Sequence, residues 1–255
     1  MNEIISKLKY GQCNVENCPK NNLEKKDKII INNILNKIKI KQSYDWYKNE
    51  LKLIQSFQLL LNEYPNYDYK SIVGSKTHLQ LSKIEDSKYD TFNYYLKYLN
   101  KKYKINIDFK NIKNIYYSLR NIILTLKDQL NMPRPYQLLI YYPEIKLNVE
   151  FSTTAITASA PSGHCFYGLI NGYLIYLSER KFFDNNYNEL ITLINISLDF
   201  GYHRNMGAIH FIYDNYVSYI TFLDVINVYK LNDNNEYLSL IKEPLDKLFK
   251  IYNVK

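Results

Sequence analysis

The chain has 255 residues, 46% of them hydrophobic, which fits one globular domain or one domain with an extension and excludes a disordered polymer. The formal charge of +8 suits an anionic partner or merely Lys-rich solvated faces, and Lys alternates with Asp and Glu too evenly to imply specific nucleic-acid binding. Three cysteines, Cys13, Cys18 and Cys165, exclude a disulfide framework; Cys13 and Cys18 lack zinc-site spacing and nearby histidines, leaving a local disulfide or two thiols in a reducing compartment.

Residues 1–22 read as an irregular or loosely docked arm. Apolar positions Ile30, Ile34, Leu35 and Ile38 recur at helical spacing and predict a helix over 23–40. Ser43 or Asp45 caps the next helix, which carries Trp46, Leu53, Ile54, Phe57, Leu60 and Leu61 and stops before Pro65. Residues 66–87 are polar, broken by Gly74, and read as a loop with one short helix; His78 lies there alone. Helices follow over 90–102 and 112–130, the second ended by Pro133. Residues 136–153 are the least helical part and predict an extended excursion or short hairpin. Helical patterns resume over 163–181, 187–198, 207–229 and 235–252. The expected fold is all-α: a bundle of about seven to eight helices with the active site at helix ends in the core. No run reaches 18 apolar residues, so no transmembrane helix is expected. The first residues lack the apolar stretch of a signal peptide, and the expectation is a soluble intracellular protein.

Three segments concentrate chemistry. Lys127 ends a helix, and Arg134 follows between Pro133 and Pro135, so two cations can converge on one anion. Pro161-Ser162-Gly163-His164 opens an apolar helix: Ser162 is a good N-cap, Gly163 allows close backbone approach, and the helix start suits an anion. His164 stands beside it, placed to move a proton. The third segment runs from Gly201 to Asp214. It sets Arg204 in a Gly-flanked loop and puts His210 and Asp214 at i,i+4, where the carboxylate can take the Nδ1 proton and leave Nε2 as base or nucleophile. Three of the four histidines fall in the last two segments. Together the segments supply three cations, an anion turn and two histidines, which is equipment for a phosphate-like oxyanion.

In order and spacing these segments resemble the signature of the type 2 phosphatidic-acid phosphatase superfamily, which includes soluble acid phosphatases, integral-membrane lipid phosphatases and vanadium-dependent haloperoxidases. The family pattern is Lys-x6-Arg-Pro, Pro-Ser-Gly-His and Ser-Arg-x5-His-x3-Asp. This chain matches with Lys127 to Arg134-Pro135, Pro161 to His164, and Arg204, His210 and Asp214, and departs at His203, where the family usually has Ser. The signature spans 127–214 and nothing comparable covers 1–85, which divides the chain into an N-terminal helical extension (1–85) packed on a phosphatase-like helical core (86–255).

The resemblance implies a phosphatase that hydrolyses phosphomonoesters through a phosphohistidine. By analogy His210 is the nucleophile, oriented by Asp214, and His164 the general acid and then base. Lys127, Arg134, Ser162, Gly163 and Arg204 bind the phosphate. It implies no metal and no cofactor, with vanadate able to occupy the phosphate site. The implied substrate is a phosphorylated small molecule or a lipid phosphate, and a homo-oligomer is compatible with it. The alternatives are a vanadium-dependent haloperoxidase, and a lipid-phosphate phosphatase or anion binder at a membrane surface. Tyr136, Tyr141 and Tyr142 are candidate substrate contacts, against a background of 27 tyrosines.

Overall fold

Helical periodicity and capping chemistry build nearly every element of the computed structural model, which describes residues 10, 23–38, 42–63, 91–150, 152, 155–231 and 235–252. The helices are α1 (Lys25–Lys37), α2 (Tyr44–Glu63), α3 (Thr91–Tyr103), α4 (Phe109–Leu130), α5 (Pro135–Leu138), α6 (Gly163–Ser178), α7 (Arg180–Asn185), α8 (Tyr187–Met206), α9 (Ile212–Val228) and α10 (Glu236–Leu248). Short 3-10 turns cover Leu139–Tyr141 and Phe249–Tyr252. The fold is all-α, and no strand occurs among the described residues. The 66–87 loop, His78, Cys13, Cys18 and the arm apart from Tyr10 lie outside the described residues.

Helix starts are fixed by side-chain oxygens that take otherwise unpartnered first-turn N–H groups. Asp108 accepts from Asn111 N, Ser162 from Cys165 N and Asn235 from Leu238 N. α4 ends at Asn131, in the left-handed region at φ 44°, two residues before Pro133. Its side chain accepts the Tyr10 N–H at 2.8 Å, which ties one point of the N-terminal arm to this turn.

α6 is the axis of the bundle. It is apolar all round, as a helix buried on every side must be, and it packs against α4, α8 and α9. Its contact with α8 is the most extensive between any two helices. Glycines make that closeness possible. A Cβ on Gly168 would meet the Ser197 carbonyl and stand 2.7 Å from Phe200 Cβ; one on Gly172 would run into Ser197 Oγ and stand 2.6 Å from the Tyr237 hydroxyl. α1 lies across α4 and α9, and α2 across α8 and α9. Their Ile30, Ile34, Tyr47, Leu51 and Ile54 join the same hydrophobic cluster as the later helices. Burying each such side chain contributes roughly 1.5–3 kcal/mol.

Four boundaries differ from expectation. The described residues of 136–153 form neither strand nor hairpin: Pro135 starts the short α5, with its φ already suited to a first helical turn. Beyond Ile145 the backbone bonds to side chains of α2 instead of a partner strand. Gln58 Nε2 donates to Asn148 O at 2.8 Å, Asn148 N donates to Gln58 Oε1 at 2.9 Å, and Gln55 Nε2 donates to Lys146 O at 3.0 Å. The 163–181 helix is broken at Glu179, between α6 and α7. α8 runs to Met206, past the expected end at 198, because Gly201 lets it press on Asn215 and Cys165 without a break. α9 begins at Ile212 and not at 207, because Ala208 turns left-handed at φ 51°. Among the described residues no helix is long and apolar enough to cross a membrane.

Candidate active site

Every site residue expected from sequence stands at a helix end. Lys127 is on the last turn of α4, and Arg134 is extended just before α5. Ser162, Gly163 and His164 open α6, and Arg204 closes α8. His210 lies in the turn before α9, and Asp214 is on the first turn of α9. Arg204 is therefore helical, not in a loop as expected, and the Gly-flanked turn begins only after it. That turn folds back on α8: Ile209 N and His210 N both donate to Arg204 O, at 3.0 and 3.3 Å. Asn205 Nδ2 donates to His210 O at 2.9 Å. The tight turn, and not a shared helical face, delivers His210 to Asp214.

His210 Nδ1 is 2.9 Å from Asp214 Oδ2. Its Nε2 lies 3.3 Å from Arg134 NH1. A guanidinium can only donate, so Nε2 is the acceptor there and Nδ1 carries the proton toward Asp214. The two neighbours thus select one tautomer, with its lone pair directed among the cations. Burial, followed by the charges of Arg134, Lys127, Arg204 and His164, holds the imidazole pKa well below its usual range. The ring is neutral at physiological pH, as a nitrogen nucleophile must be.

Asp214 Oδ2 also accepts from the Ser159 hydroxyl and from Phe211 N, the latter at 2.9 Å. Its carboxyl is pushed up to about 6 by burial, against the pull of Ser159, Lys127, the Phe211 N–H and Arg134. Ser162 N donates to the Asp214 carbonyl at 3.1 Å, which locks the α6 turn to α9. Ser218 Oγ, 2.8 Å from both the Asp214 and Ser162 carbonyls, reinforces that seam.

The basic side chains are buried, Lys127 and Arg134 on backbone carbonyls and Arg204 on a serine hydroxyl. Lys127 Nζ donates to Ala158 O and Ser159 O, each at 2.7 Å. Burial and then the Arg134 charge hold its ammonium well below the usual lysine range. Arg134 spans two segments: Nε and NH2 donate to Thr157 O at 3.0 and 2.9 Å, and NH1 to Ile209 O at 3.0 Å. Arg204 NH2 donates to Ser152 Oγ at 2.6 Å. Lys127 and Arg134 act on the buried Asp214 carboxylate, and with Arg204 they set three buried basic side chains around the His210 ring. Gly163 and His164 are half-buried, at the edge of this ring.

Some expectations move. Tyr142 is fully buried and stacks on Tyr44 at 4.5 Å, so it is a packing residue and not a substrate contact. His203 is buried on α8, with Nε2 4.0 Å from Asp199 Oδ2, one helical turn back. Ser152, Ser159, Asn205 and Glu50 were not marked by sequence. Asn205, next to Arg204 inside the third segment, was the one nearest a visible signal. Among the described residues no cluster of three or more His, Cys, Asp or Glu side chains is arranged to hold a metal ion.

Comparison of the chain with protein-family models, curated proteins and solved structures finds no significant match.

Proposed function

We propose that this chain is a phosphatase that hydrolyses phosphomonoesters through a phosphohistidine intermediate. The observation that carries the reading is the His210 ring, fixed between Asp214 at Nδ1 and Arg134 at Nε2, with a neutral nucleophilic nitrogen among buried cations. The resemblance of the three motifs supports it, and so does their convergence at five helix ends.

The phosphoryl group lies among Arg134, Arg204, Lys127 and the start of α6, where Ser162 and the Gly163 N–H add donors. His210 Nε2 attacks phosphorus in line, and the Nε2–P bond forms as the ester P–O bond breaks. His164, initially protonated, gives its proton to the leaving oxygen. The positive charge that develops on His210 is balanced by Asp214. His164, now neutral, takes a proton from water. The hydroxide attacks phosphorus, the Nε2–P bond breaks and inorganic phosphate leaves. The arginines are suited to this work because each fork can grip two oxygens. The substrate class is a phosphorylated small molecule or a lipid phosphate.

The test is phosphate release from a broad monoester panel at pH 4–8, comparing wild type with His210→Ala, with and without EDTA and vanadate. Release that survives EDTA, stops with vanadate and disappears in the variant is the expected result. Wild-type protein that releases no phosphate from any monoester overturns the proposal. Halide oxidation by peroxide after vanadate loading, without phosphatase activity, points instead to a haloperoxidase.

A further inference from the structure

The first turn of α9 is capped by two carboxylates from opposite ends of the sequence. Phe211 N is taken by Asp214, three residues on. Tyr213 N, another first-turn donor without an intrahelical acceptor, is taken at 3.2 Å by Oε2 of Glu50 on α2. Oε1 of Glu50 accepts from the Tyr252 hydroxyl at 2.5 Å. Glu50 is 2% exposed, and its surroundings are aromatic. Trp46 meets Tyr213 edge-on at 5.3 Å, and Tyr252 meets Tyr213 at 5.3 Å. The ionisable groups around it are the phenols of Tyr213 and Tyr252, with Tyr47 beside them on α2, and the carboxylate of Asp214. The cations Lys127 and Arg134 act on Asp214 from its far side, while the groups that act on Glu50 itself are Tyr252, the Tyr213 N–H and Asp214. Both carboxylates gain from the positive end of the α9 dipole, and each opposes the charge of the other.

We propose that Glu50 is a positioning residue for the His210–Asp214 pair: it holds the first turn of α9 through Tyr213 N, and its charge keeps protons on the pair. Residues 44–63 are then part of the catalytic unit and not only a cover for it. Burial, with a further contribution from Asp214, pushes the Glu50 carboxyl up to about 7, so its charge appears within the working range of pH. The catalytic consequence rests on the phosphatase reading; the electrostatic one does not.

Two variants separate geometry from charge. In Glu50→Gln the amide oxygen still accepts from Tyr213 N, and the Tyr252 hydroxyl can rotate to accept from the amide nitrogen. Glu50→Ala loses both contacts. Two readouts apply: side-chain 15N shifts of His210 from pH 5 to 9, and the kcat–pH profile. The expected result for Glu50→Gln is a His210–Asp214 titration displaced to lower pH by about half a unit. Its kcat should match wild type below about pH 6 and depart several-fold above about pH 8, where only wild type carries the extra charge. Glu50→Ala should lower kcat at every pH. If it fails to fold, Glu50→Gln alone decides. A Glu50→Gln titration superimposable on wild type overturns the proposal, as does an equal loss of kcat at every pH, which is what a merely structural role gives. Should wild type release no phosphate while the His210 titration still moves, the phosphatase reading falls and the positioning role stands.

Discussion

Two buried carboxylates sit at opposite ends of the chemistry of α8. Glu189 is on its first turn and Arg204, beside Asp214, on its last, about 22 Å away along the helix axis. Glu189 is saturated: Oε1 accepts from Tyr98, Tyr103 and Lys102 at 3.0, 2.8 and 3.3 Å, and Tyr95 donates to its carbonyl at 2.8 Å. Neutral phenols and one half-exposed ammonium match its charge and bind α3 to α8. Asp214 is treated differently. One oxygen takes three donors, while Oδ1 has no hydrogen-bond partner. The first arrangement is closed and architectural. The second gathers basic side chains about one carboxylate oxygen, and on the proposed reading the phosphate is bound among them.

Substitutions can break this contrast. The largest effect is expected from His210→Ala, which should lower kcat by about 10³-fold or more, since the bond-forming atom is gone. Next is Arg134→Lys. It keeps the charge but cannot span Thr157 O, Ile209 O and His210 together, and should lower kcat/KM by about 10²-fold. Unchanged steady-state kinetics would mean that charge alone suffices.

The third effect concerns stability and pH. The folded-state pKa of Glu50, about 7, lies above the value of about 4.3 for an unfolded glutamate. Its contribution is therefore fully present below the unfolded pKa and is lost as pH rises through about 7. Urea titrations should show Glu50→Gln gaining on wild type between pH 5 and 8, by on the order of 3 kcal/mol at the upper end. An equal offset at both pH values would contradict this. The smallest effect belongs to the closed carboxylate. Tyr103→Phe should cost about 1 kcal/mol of stability and leave kcat/KM unchanged. A loss of activity there would show that the two ends of α8 are coupled.

The site was legible because its chemistry is written in short-range signals. Pro133 and Pro135 hold Arg134 extended, Ser162 caps α6, and the intervals to Arg204, His210 and Asp214 survive folding intact. What was not legible depends on contacts between distant residues. Nothing near Glu50 in sequence announces Tyr213, 163 positions away. The 145–150 stretch looked extended, and its backbone bonds go to glutamines of α2, which no local pattern encodes. The late start of α9 turns on the left-handed Ala208, a conformation that alanine seldom adopts and that sequence would not suggest. Even so, the side chains of the third segment meet, because the turn displaced the helix start and not the order of the residues.

The glycines of α6 have a consequence for the spacing of the helix ends that carry His164 and Arg204. α6 and α8 run antiparallel, since Cys165 lies by Gly201 and Gly172 by Ser197. The His164 end of one helix therefore abuts the Arg204 end of the other. Gly168 is one turn from His164, and it has no room for even a methyl group. On the phosphatase reading, the gauge of the phosphate seat is set at residue 168. A bulkier residue there would act as a spacer, widening the seat at the α6–α8 edge before touching any atom that handles the substrate.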